Sequence, residues 1–173
     1  MRERLTRLSD GRLDAAFVRG AIPGNSPELR FLPVWDDELV VVLPARHALA
    51  QQPEVDLADL AALPLRLTDR RNNPALVDLV TDACAQAGFR PVLGPAHGAL
   101  QDTLASIGTG TPMWTVVYAA NARLTNSPRV AFRPCRTPLS LPTSLAVRRS
   151  APLPRLLLAA CRKTPPSWDD QDS

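Results

Sequence analysis

Apolar positions set the first expectations. After Pro74 they recur at Leu76, Leu79, Val80, Ala83, Cys84 and Ala87, a spacing that puts them on one face of a helix. Asn73 is a good N-cap, Pro74 suits the first helical position, and Gly88 fits the left-handed residue that ends a helix. Elsewhere the apolar residues run together as buried strands do. "LDAAFV", "LRFLPVW" through "DDELVVVLP", "PLRLT", "RPVLGP", "MWTVVYA", "RVAFRPC" and "PLSLPTSLAVRR" are expected to be extended. "ERLTRL" before Gly11, "VDLADLAAL" with Asp56 as cap, "ALQDTLASIG" and "PLPRLLLAACRK" are expected to be helical. Strand and helix alternate, which predicts an α/β fold with a parallel sheet and ligands beyond the strand C-terminal ends.

Charge and cysteine content narrow the picture. The net charge is +3, but the 20 basic residues are scattered, all arginine except Lys163, with no basic run among aromatics. That reads as a solvated surface rather than a phosphate-binding face. No apolar run reaches membrane-spanning length, and the charged start lacks a secretory signal, so a cytoplasmic location is expected. Cys84, Cys135 and Cys161 are odd in number and far apart, which suggests reduced thiols. Enzyme signatures are missing: there is no nucleophile elbow, phosphate loop or dinucleotide fingerprint. His47 and His97 read as structural, Trp114 and Phe89 as core, and the histidines and cysteines lack a metal-ligand spacing. No catalysis, cofactor or metal is expected.

One loop stands out. "LTDRRNNP" places Thr68, Arg70, Arg71 and Asn72 directly before a helix N-terminus, where backbone N–H groups and the helix dipole attract anions. Arg70 and Arg71 are suited to bidentate contacts with a carboxylate. The other reading of the same residues is a solvated loop in which Asn73 does nothing but cap.

The order of the pieces resembles a known family. "LSDGRLDAAFV", "LPVWDDELVVVLPARHALA", "VDLADLAALPLRLTDRRNNPALVDLVTDACAQAGFRP", "ALQDTLASIGTGTPMWTVVYAAN" and "RVAFRPCRTPLSLPTSLAVRR" together are similar to the effector-binding domain of LysR-type transcriptional regulators, over residues 5 to 163. The resemblance implies a type-two periplasmic-binding-protein-like fold, with two lobes and a small inducer, often an organic or aromatic acid, held in the cleft. Residues 1–52 and 136–163 would form the first lobe, 53–135 the second, and 164–173 a disordered tail. Facing the arginine loop it would place Val18, Arg19, Gly108, Thr109 and Gly110, although the glycine pair also reads as an ordinary tight turn.

Relatives begin with a winged helix-turn-helix, a linker helix, and a first strand and helix that the quoted pieces do not include. The first lobe is accordingly expected to be incomplete, with DNA contact only through a missing helix-turn-helix domain. Backbone left unpaired beside an absent strand invites another chain, so self-association is expected, as it is from the family. Two other classes stay open: a fragment that pairs with intact regulators without sensing anything, and an exported solute-binding protein of the same fold.

Overall fold

A computed structural model describes residues 2–20, 26–94 and 99–163. His97 and the expected tail 164–173 lie outside the described residues. In chain order the regular elements are helix α1 (Arg2–Ser9), strands β1 (Ala15–Arg19) and β2 (Leu29–Pro44), helices α2 (Pro74–Gln86) and α3 (Leu100–Thr109), strand β3 (Thr115–Tyr118), helix α4 (Ala119–Arg123), strand β4 (Val130–Arg148) and helix α5 (Arg155–Lys163). The hydrogen-bonded strand order is β1-β4-β2-β3. Among the described residues two compact units result, one comprising those up to Asp37 and 141–163, the other those within Glu38–Ser140.

In the first unit, β1 lies antiparallel to β4 from Ala15 opposite Val147 to Arg19 opposite Thr143. Alternation along β1 sends Ala16 and Val18 to one face, where they join Leu5 and Leu8 of α1, Leu29 and Ala146 in a buried cluster. Burying a side chain such as Leu8 contributes about 1.5–3 kcal/mol. Helix α1 stops at Gly11, whose φ of 74° suits a residue without Cβ. The Arg12 amide then reaches back to the Arg7 carbonyl at 2.9 Å, closing the helix end.

In the second unit, β3 lies antiparallel to β2, with Val40 opposite Val117. Val40, Val42, Leu104, Ile107, Val117, Ala119, Ala122 and Val130 form its main buried cluster. A parallel arrangement sits beside this ladder. Leu65 bridges both Leu93 and Trp114 in parallel, with the Leu65 amide on the Val92 carbonyl and the Arg66 amide on the Trp114 carbonyl, both at 2.8 Å. Trp114 is fully buried, and its indole N–H donates to the Leu63 carbonyl at 3.1 Å. The expected α-β alternation is therefore real in this unit, but "PLRLT" and "RPVLGP" are single bridges rather than ladder strands, and both ladders whose register is defined are antiparallel.

Other expectations need amending. The stretches from "RVAFRPC" to "PLSLPTSLAVRR" are one 19-residue strand. Pro134 and Pro142 lie within it without an N–H and take part through their carbonyls, accepting from the Val55 amide at 3.0 Å and the Gly20 amide at 2.8 Å. "VDLADLAAL" yields a single 3-10 turn, Leu57–Leu60, capped by Asp56 as expected. His47 caps a second such turn, Ala48–Gln51, by accepting from the Leu49 amide at 3.2 Å. The two compact units divide inside β2, between Asp37 and Glu38, and inside β4, between Ser140 and Leu141.

Candidate functional site

A cavity of about 310 Å³ opens in the second unit at the C-terminal end of β3. Three pieces of chain build it. Thr68, Asn72 and Asn73 come from the loop before α2, Leu100 and Thr103 from the start of α3, and Thr115 to Tyr118 from β3, with Asn121 of α4 beyond them. Leu76, Leu100, Val116 and Val117 supply its apolar surface, and amides and hydroxyls supply the rest.

Local chemistry fixes the loop. Asn73 caps α2 by accepting from the Leu76 amide at 3.4 Å, and its Nδ2 donates to the Tyr118 hydroxyl at 3.3 Å. One side chain thus both starts the helix and ties the loop to the end of β3. The Asn72 and Asn73 amides turn back to the Asp69 carbonyl, at 2.9 and 3.4 Å. Thr115 and Thr103 are buried, and their hydroxyls donate to the backbone carbonyls of Arg66 and Ala99. Both therefore act as structural spacers in the wall. Helix α3 begins without a side-chain cap, at Ala99, and carries Asp102 in its first turn.

The arginines are engaged elsewhere. Arg70 meets Asp78 through Nε at 2.6 Å and Nη2 at 2.8 Å, a two-pronged ion pair. Arg71 holds Asp69 through Nε at 3.1 Å and Nη2 at 2.8 Å, while its backbone amide donates to the same carboxylate at 2.8 Å. These hydrogen bonds from Arg71 pull the Asp69 pKa from 3.8 to about 2, and the Arg70 contact lowers that of Asp78. Neither arginine lines the cavity.

The remaining sequence-predicted residues lie apart from this cavity. Val18 is buried in the core of the first unit. Arg19 donates through Nε to the buried Asp37 carboxylate at 2.5 Å, and the Thr143 hydroxyl donates to the same oxygen at 2.5 Å. Gly108, Thr109 and Gly110 end α3 and line a different depression, with Arg46, Pro112 and Arg129. At Gly108 a Cβ would stand 2.7 Å from the Arg129 Cβ, so the position admits only glycine without rearrangement. Of the residues named from sequence, Thr68 and Asn72 line the cavity; Tyr118 and Asn121 line it too and were not named. Their position carried a signal: Tyr118 ends the strand within "MWTVVYA" and Asn121 comes just after it, where an α/β fold places its ligands.

All three thiols are buried. Burial pushes Cys84 up to about 11 and Cys135 to about 12, which keeps both protonated at neutral pH. Among the described residues, no group of three or more His, Cys, Asp or Glu could hold a metal ion.

Comparisons with known proteins agree on one family. A sequence model described as "LysR substrate binding domain" matches residues 1–163. A "Probable hydrogen peroxide-inducible genes activator" of Mycobacterium avium is 35% identical over 106 residues, 61% of this chain and 33% of that protein. The "Hca operon transcriptional activator HcaR" of Escherichia coli (strain K12) is 30% identical over 128 residues, 74% of this chain and 42% of that one. The chain therefore spans a third to two fifths of the length of these curated relatives. Among solved structures, "BenM effector binding domain with its effector benzoate" superposes with a TM-score of 0.79 at 22% identity, covering 94% of this chain and 73% of that one. HinK, a LysR family regulator from Pseudomonas aeruginosa, gives 0.74 at 21% identity, covering 94% and 56%. These likenesses establish the periplasmic-binding-protein-like type-two fold.

Proposed function

The chain belongs to the LysR substrate-binding-domain family, and from that premise we propose that it is the effector-sensing part of a transcription regulator, which takes a small molecule into the cavity beside Asn73 and Tyr118. The observation that carries this reading is the Asn73–Tyr118 contact, which joins the loop before α2 to the end of β3 around an apolar-walled cavity. A cavity of about 310 Å³ suits a molecule of one ring. BenM's named effector, benzoate, is of that size. The regulator would act in the cytoplasm as an oligomer, reach DNA through a separate domain, and perform no catalysis.

Of the residues named from sequence, Thr68 and Asn72 are the ones this reading retains. Arg70 and Arg71 act within the loop, each neutralised by its own aspartate. A peroxide-reactive thiol finds no support in Cys84 and Cys135, which are buried and pushed up to about 11 and 12.

A thermal-unfolding screen of the purified chain against small ring compounds tests the proposal, with Thr68→Trp run in parallel to fill the cavity. Compounds that raise the wild-type midpoint are expected to lose their effect on the variant. Hits that stabilise both proteins equally would place binding elsewhere, and a cooperative transition with no hit would favour a fragment that only pairs with intact regulators.

A further inference from the structure

The chemistry of the lining says what sort of molecule fits. We infer that the effector presents an uncharged polar group, a carboxamide, alcohol or phenol on a small apolar ring, and not the carboxylate that the arginine loop suggested from sequence. The inference rests on the cavity reading above and deepens it.

Its first support is the pairing of both arginines inside the loop. Displacing Asp78 from Arg70, or Asp69 from Arg71, would leave a carboxylate of the protein unpaired for every carboxylate of the ligand that gained a partner. The exchange gains nothing in charge. The second support is the state of the α2 N-terminus. Pro74 has no N–H and the Leu76 amide is taken by the Asn73 side chain, so two of the three first-turn positions offer no amide to an anion. At α3, Asp102 in the first turn offsets the positive end of the dipole.

The third support is the character of the groups that face the cavity. Thr68, Asn72, Tyr118 and Asn121 each carry a hydroxyl or carboxamide, which donates and accepts. A carboxylate only accepts and carries a full charge, and since no arginine, lysine or histidine lines the cavity it would exchange its hydration for neutral donors alone. A carboxamide or alcohol answers a donor with an acceptor and an acceptor with a donor. The matching bears most on Thr68 and Tyr118, which are half-buried, and less on Asn72 and Asn121, which are exposed.

Matched pairs test the inference: benzamide against benzoate and nicotinamide against nicotinate, at pH 7.5, by thermal shift and calorimetry on the chain, its Thr68→Trp variant and Asn72→Arg. The neutral member of a pair is expected to bind at least about ten-fold tighter than the acid, and at about a hundred times its Kd to raise the midpoint by roughly 5 to 10 °C. Thr68→Trp should abolish that shift, and Asn72→Arg should move the preference toward the acid. Preference for the acids in the wild type, lost in Thr68→Trp, would overturn the ligand class and leave the cavity reading standing. Binding indifferent to Thr68→Trp would overturn the cavity reading, and no shift from any of the four compounds would overturn both.

Discussion

Asp69 is the residue around which the loop before α2 is organised, and its ionisation is what holds Arg71, while Asp78 holds Arg70. With hydrogen bonds from the Arg71 guanidinium and amide, its pKa falls to about 2, below the unfolded value of 3.8. A depressed carboxylate contributes stability that is present above the unfolded pKa and lost as pH falls through the folded one. The contribution should therefore be complete above pH 4 and disappear toward pH 2, and carboxyl chemical shifts followed by NMR should titrate near the lower value. Arg71→Ala should return Asp69 toward 3.8. Because Arg70 is bound to Asp78 and most of its side chain is in water, Arg70→Ala should leave effector affinity within about two-fold. A ten-fold loss by calorimetry would return Arg70 to the binding site. The thiols make a further residue-scale test: with pKa values of about 11 and 12, Cys84 and Cys135 should alkylate at pH 8 at least about a hundred-fold more slowly than in urea.

Helix α2 shows at the scale of an element how far sequence carries. Its cap, its first-turn proline and Gly88 at φ 90° follow from local rules, because each rule acts within a few residues. Thr68 and Asn72 were legible for the same reason. The ion pairs were harder, since Arg70 and Asp78 are eight residues apart and meet only once the loop has turned onto the helix. Tyr118 is 45 residues from Asn73, and nothing local brings them together. Two strands are expected from the sequence where β4 lies, one ending at Cys135 and one starting at Pro138, yet β4 runs unbroken through prolines 134, 138 and 142, and the carbonyls of Pro134 and Pro142 accept hydrogen bonds. Asn73→Ala removes the cap and the tie to Tyr118 together, and should cost about 1–2 kcal/mol by urea denaturation. Tyr118→Phe, which removes only the tie, should cost less. Equal losses would mean that the cap contributes nothing. In the first unit Asp37 of β2 gathers Arg19 of β1 and Thr143 of β4 on one buried carboxylate, so Asp37→Ala should cost about 1–3 kcal/mol.

For the whole molecule, self-association has two grounds. β1 is the first strand of the hydrogen-bonded order, paired with β4 over all five of its residues and with no strand on its other edge among the described residues, and Arg4 donates to the Phe17 carbonyl at 3.1 Å. Family membership is the other ground, and a monomeric mass by light scattering at micromolar concentration would remove both. Connectivity makes a stricter demand. β2 and β4, 16 and 19 residues long, are each shared between the two units, so melting either unit releases the ends of two strands that also build the other. Partial unfolding would leave a β-ladder with half its length unanchored while recovering the chain entropy of only one unit. Heating should accordingly give one calorimetric transition with the calorimetric and van't Hoff enthalpies equal. With Trp35 and Trp168 replaced by phenylalanine, destabilisation by Asp37→Ala in the first unit should lower the midpoint seen by Trp114 fluorescence in the second as much as that seen by amide circular dichroism. Two resolved transitions, with Trp114 insensitive to Asp37→Ala, would show that the shared strands connect the units without coupling their stability.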